Sequence, residues 1–170
     1  MKKIYAAAAA LALCLSIGTA ALSAEPAKPE TGVMKGQRAP DFTIKDLSGK
    51  SFSLSSAKND VVCLMFWATW CPYCVREVPR FKELHAKYSA KGFRIIGINI
   101  GVNDPLPRVE AFQLQNQLPY AILYDSAQEV SRMFYVTGIP VTVIIDRKGI
   151  IQYRGYQLPE NVEQLIPQLL

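Results

Sequence analysis

Apolar residues change their spacing along this chain in a regular way, and each change marks an element. Phe42, Ile44 and Leu47, then Phe52 and Leu54, alternate with polar residues on either side of Ser48-Gly49-Lys50. That spacing predicts a small β-hairpin ahead of the main fold. Val61 to Trp67 is an unbroken apolar run, as a strand buried on both faces requires. From Cys71 to about Tyr88, the residues Val75, Val78, Phe81, Leu84 and Tyr88 recur every three or four positions and predict a helix. Pro79 falls inside it and is expected to kink it. Gly92 ends it, and Phe93 to Ile100 reads as the next buried strand.

Pro105 to Gln117 predicts a second helix with Val109, Phe112 and Leu114 toward the core. Ala121 to Tyr124 reads as a short strand and Ser126 to Phe134 as a short helix. Val141–Ile145 and Ile150–Tyr153 flank Asp146-Arg147-Lys148-Gly149, a turn between antiparallel strands. Pro159 to Leu170 closes the chain as a helix, with Val162, Leu165, Ile166 and Leu169 on one face. This order argues for an α/β domain on a mixed sheet. A chain of 170 residues, half of them hydrophobic, suits one such domain rather than two.

The domain is expected over residues 36–170. Residues 25–35, polar and rich in Pro and Lys, read as a linker, with an extended arm continuing to about residue 40. Residues 1–24 read as an export signal: Lys2 and Lys3, an apolar stretch from Ile4 to Ile17, then small residues up to Ala24. Cleavage is expected after Ala24, with Ala20 or Ala21 as alternatives. An uncleaved anchor is the competing reading, since Ile4 to Ala21 carries no charge. Either way the domain lies in the periplasm or on the extracytoplasmic side of the membrane, where disulfide chemistry is permitted. Membrane contact is expected only if the leader stays. Beyond the leader there are 17 basic and 14 acidic side chains, a net +3. With no basic run and no aromatic–basic interleaving, nucleic-acid binding is excluded.

The chemistry concentrates in Phe66-Trp67-Ala68-Thr69-Trp70-Cys71-Pro72-Tyr73-Cys74, between the strand and the helix. A thiol in the first turn of a helix faces unpaired N–H groups and the positive end of the helix dipole. Its thiolate is stabilised and becomes a nucleophile near neutral pH. Pro72 suits the first turn, where its missing N–H costs nothing. Half a zinc site is the alternative, but zinc takes four ligands. Cys63, in mid-strand, reads as a core hydrophobe and His85 as a surface residue. The pair therefore reads as a redox dithiol, and no metal is expected.

The tryptophan-flanked dithiol, Pro79 five residues after it, and Gly138-Ile139-Pro140 before a strand resemble the thioredoxin fold. Gly36-Gln37-Arg38-Ala39-Pro40-Asp41-Phe42 resembles the opening of its redoxin branch, related to AhpC/TSA. The likeness is strongest to the extracytoplasmic TlpA/ResA group of thiol–disulfide oxidoreductases. Between Ile100 and Gly138 lie 37 residues, room for the helix and strand that this group inserts.

The resemblance implies a mixed sheet flanked by helices, with an N-terminal hairpin and a central helix–strand insertion. It makes Cys71, exposed at the helix start, the attacking thiolate and Cys74, one turn deeper, the resolving thiol. Pro140 becomes a cis-proline whose neighbour Ile139 pairs with an extended substrate, with Trp70 shielding the disulfide and Pro72 and Tyr73 beside it. The buried acid common under such dithiols is replaced by Met65 on the strand. Glu77 stands where ResA-like proteins carry a glutamate, and is either a proton shuttle or a solvated helical acid. The implied function is disulfide reduction in exported client proteins, such as cytochrome c apoproteins, by a monomer. It needs no cofactor, and a membrane thiol-electron transporter would supply its electrons. Two rivals are weighed. A peroxiredoxin needs Thr or Ser three residues before its cysteine and Pro seven before, where this chain has Ala68 and Leu64. A copper or thiol chaperone on this fold uses a more widely spaced cysteine motif and a distant histidine, and no histidine follows His85.

Overall fold

The computed structural model describes residues 29–170. The export signal and the start of the linker lie outside the described residues. Among the described residues, no helix is long and apolar enough to cross a membrane. A hairpin of β1 (Thr43–Lys45) and β2 (Ser51–Ser53) precedes β3 (Val61–Trp67). Then follow α1 (Pro72–Tyr88), β4 (Phe93–Asn99), α2 (Leu106–Gln115) and β5 (Ala121–Tyr124). The chain closes with α3 (Glu129–Met133), β6 (Val141–Ile145), β7 (Ile151–Gly155) and α4 (Val162–Leu169).

Five strands form one mixed sheet in the order β5-β4-β3-β6-β7, with the hairpin as a separate two-stranded sheet. β3 sits in the middle, parallel to β4 and antiparallel to β6. Its alternating side chains divide the core. Val61, Cys63, Met65 and Trp67 meet α1 and α4 on one face. Val62, Leu64 and Phe66 meet the hairpin and α3 on the other, where the Phe134 ring packs edge-to-face against Phe42 and tilted against Phe66. The inserted α2–β5 unit extends the β4 edge.

Two turns are built alike. Asp46 Oδ1 accepts the N–H groups of Ser48 and Lys50, and Asp146 Oδ1 accepts those of Lys148 and Ile150. Each turn needs a left-handed residue, which Gly49 (φ 83°) and Gly149 (φ 81°) supply without a Cβ clash.

Three expectations need correction. The fold begins before residue 36: Val33 is buried, Thr31 bridges Arg38, and Gly36 N–H donates to the Ile151 carbonyl. A lone valine in a polar stretch leaves no periodicity to detect. Leu114 is exposed, because α2 turns only Val109 and Phe112 inward. His85 is half-buried against Tyr120 rather than on the surface. The helix expected from Cys71 to about Tyr88 is α1, with Pro79 inside it.

Candidate active site

At the end of β3, Cys71 N–H donates to the Ala68 carbonyl and turns the chain into α1. Cys71 is the residue just before the helix, with φ −88° and ψ 106°. Its sulfur accepts the Cys74 N–H at 3.2 Å. Sulfur thus takes the role of the side-chain oxygen that commonly caps a helix. A negative charge on that sulfur would meet the N–H groups and the dipole directly. Cys71 and Cys74 are joined in a disulfide with Cα atoms 5.3 Å apart.

The pair lies deeper than expected. Cys71 is 3 % exposed and Cys74 1 %. An exposed Cys71 is therefore corrected for this oxidised form: the residue is bonded to Cys74 and belongs to the buried cluster on which Ile139 also packs. Trp70, Pro72 and Tyr73 remain exposed around it. The Arg76 guanidinium lies 4.4 Å from the centroid of the Tyr73 ring. Met65, directly under this helix face, is buried and apolar.

The Ile139–Pro140 peptide bond is cis. β6 begins at Val141, opposite Phe66 on β3, so sheet register brings the Ile139–Pro140 loop to the end where the dithiol sits. Pro140 is buried and Ile139 half-buried. Among the described residues, Thr137, Gly138 and Ile139 make no backbone hydrogen bond.

Glu77 shares the buried face of α1 with Cys74, one turn on. Its exposure is 9 %, and its carboxylate accepts the Leu158 N–H at 3.3 Å. Burial raises its pKa above the usual carboxylate range, against smaller lowering effects from the Leu158 N–H and Arg80. Cys63 is fully buried in β3. Burial, and next the nearby Glu77 carboxylate, push its thiol up, so it stays protonated and inert.

Sequence reading overlooked Asp104. This carboxylate is 1 % exposed and accepts the Thr69 N–H at 2.7 Å, the Thr69 hydroxyl at 2.5 Å and the Asn99 side-chain amide at 2.7 Å. Beside it, Trp70 Nε1 donates to the Val102 carbonyl at 2.7 Å. The loop after β4 thereby grips Thr69 and Trp70, the two residues that lead into Cys71. A faint signal existed, since Asn103-Asp104-Pro105 reads as a turn with a side chain able to bind backbone. Asp104→Ala is expected to cost about 3 kcal/mol, because the buried Asn99 amide and two part-buried Thr69 donors lose their acceptor. Asp104→Asn, which keeps an acceptor oxygen, should cost less. Denaturant unfolding checks both, and an unchanged midpoint for the alanine variant would show that the network carries no weight.

A family profile described as the AhpC/TSA family matches residues 35–154, from before the hairpin into β7. The chain belongs to the AhpC/TSA family. Two similar relatives narrow its place there. The thioredoxin-like protein YneN of Bacillus subtilis is 38 % identical over 140 residues, 81 % of each chain. The thiol-disulfide oxidoreductase ResA of Geobacillus thermodenitrificans is 34 % identical over 137 residues, 79 % of this chain and 78 % of ResA. Among solved structures, a thiol:disulfide interchange protein of the thioredoxin family from Chlorobium tepidum superposes with a TM-score of 0.70 at 27 % identity. That match covers 80 % of this chain and 97 % of the other. This AhpC/TSA chain is thus a thiol–disulfide oxidoreductase with a thioredoxin-like fold. The expected fold class, with its hairpin and inserted helix–strand unit, agrees with the observed topology.

Proposed function

We propose that the enzyme is an exported reductase of client disulfides, with Cys71 as nucleophile and Cys74 as resolving thiol. The observation that carries this reading is the Cys71 sulfur itself, capping α1 and closed onto Cys74. In the reduced enzyme the Cys71 thiolate attacks a client disulfide. A bond forms between Cys71 and one client sulfur, and the second client sulfur leaves as a thiolate that takes up a proton. Cys74 gives its proton to Glu77 and attacks the Cys71 sulfur. The Cys71–Cys74 bond closes, the mixed disulfide breaks, and the client leaves as a dithiol. Two electrons have passed to the client, so no cofactor is required.

Extended client backbone pairs with Ile139, whose loop has hydrogen-bonding groups unused among the described residues. Cis-Pro140 holds that loop beside the disulfide. Trp70 shields the disulfide, and Pro72 and Tyr73 form the exposed surface next to it. The export-signal pattern of residues 1–24 supports action outside the cytoplasm, with the leader cleaved or kept as an anchor. The enzyme acts there as a monomer, with cytochrome c apoproteins among its clients. There, a membrane thiol-electron transporter must return the enzyme to its dithiol form. The reduction potential of the Cys71–Cys74 pair against glutathione tests the direction. A value near the thioredoxin end, about −270 mV, agrees with a reductase, and one near −120 mV would make the enzyme an oxidant.

Glu77 gives this reading a pH signature. Because its folded pKa is raised, its contribution to stability is full below the ordinary carboxylate range. That contribution is lost as pH rises through the raised value and the buried charge develops. Resolution behaves oppositely, since only the ionised carboxylate can take the Cys74 proton. Glu77→Gln should therefore raise stability at pH 7 while slowing resolution by about 10²-fold. It should also remove the rise of resolution rate with pH. Stopped-flow measurement of thiol release over pH 4–9 checks this, and an unaltered profile would take Glu77 out of the mechanism.

A further inference from the structure

Three large apolar side chains are exposed on one side of the Ile139–Pro140 loop: Met34 at 62 %, Tyr135 at 73 % and Tyr156 at 71 %. They line a single pocket of about 240 Å³, whose wall continues into Gly138 and Val141. The chain spends backbone freedom to present one of them. Tyr135 has φ 50°, a left-handed conformation uncommon for a bulky residue. Its carbonyl is held there by Arg154 Nη2 at 3.2 Å.

Arg154 also lines the pocket. No carboxylate among the described residues forms a salt bridge with it, and its Nη1 is buried without a partner. Burial lowers its pKa, although the Tyr156 hydroxyl partly offsets this. The site thus combines an apolar rim with an uncompensated positive charge.

We propose that this pocket is a specificity subsite for the client, filled by a large apolar side chain next to an acidic residue, a few positions from the client cysteine. Its role presupposes that clients pair with Ile139, because continuity with that loop brings an extended segment over Tyr135 and Tyr156. The apolar side chain covers the two rings, and the neighbouring carboxylate compensates Arg154. A strand rises about 3.3 Å per residue, so only nearby client residues reach the pocket.

Three disulfide-linked peptides with the same cysteine test this, carrying Leu-Glu, Ser-Glu or Leu-Lys at the flanking positions. The full-length reduced enzyme should reduce the Leu-Glu peptide with kcat/KM about tenfold above either other peptide, the scale of one side chain in a partly open pocket. The difference should lie in KM. Tyr156→Ser should erase the preference for Leu over Ser. Arg154→Gln should erase the preference for Glu over Lys, and Arg154→Lys should restore it. Met34→Ser, another exposed position, checks the apolar term without the fold at stake.

Equal rates on all three peptides would overturn the subsite while leaving client reduction intact. Failure to reduce any peptide would instead sink the reductase reading on which it stands. A concentration-dependent dimer that Tyr156→Ser dissolves in sedimentation would assign the patch to a second copy of this chain, and so overturn the client role.

Discussion

Cys71→Ser is expected to leave no measurable reduction of insulin disulfides, a loss on the order of 10⁴-fold or more, as for removal of other catalytic nucleophiles. Serine keeps the helix cap, since its oxygen accepts the Cys74 N–H at least as well as sulfur does. The defect should therefore be chemical rather than structural. A hydroxyl at this position has no anion near neutral pH, however favourable the N–H groups around it. Losing the disulfide adds a modest term: the bridge spans a sequence separation of only 3. Closing so short a loop is worth about 2 kcal/mol in the chain-entropy account. The variant should thus fold with nearly the stability of the reduced wild type, measured by urea unfolding beside the insulin turbidity assay. Retained turnover in a folded variant would end the assignment of Cys71 as nucleophile.

Cys74→Ser should do the opposite in kind. The first bond exchange proceeds, because Cys71 and its cap are intact. The second cannot, because no thiol remains on the buried face to expel the client. Mixed disulfides should accumulate to nearly one per enzyme and survive non-reducing electrophoresis, while multiple turnover falls to background. Cys63 offers no rescue, as it is fully buried and held protonated. Mass spectrometry of the trapped species would name the clients. A variant that forms no adduct with insulin would remove the resolving role from Cys74.

Much of this was legible in sequence, for a physical reason. The β3 run, the α1 periodicity, the dithiol and the proline before β6 each have a local signature a few residues long. Asp104 has none: its partner Thr69 lies 35 residues away, and a turn-forming Asp looks the same buried or solvated. The Glu77 contact with Leu158 bridges 81 residues and falls on a backbone N–H, which no side-chain pattern reveals. The depth of Cys71 was misread because its burial comes from neighbours distant in sequence, such as Ile139, which a motif of a few residues does not encode. The packing of Val33 was missed because one apolar residue makes no period.

The grip of Asp104 on Thr69 has a consequence for how such enzymes diversify. Asp104 belongs to the connection that opens the inserted unit, so the insertion is mechanically geared to the approach to Cys71. Among the residues of α2, only Val109 is fully buried, which leaves the helix surface free to vary. Changes of length or sequence there can shift the strut without touching the cysteines, the cis-proline or the sheet. A lineage could then retune its dithiol by remodelling a peripheral helix, with the reacting atoms left as they are.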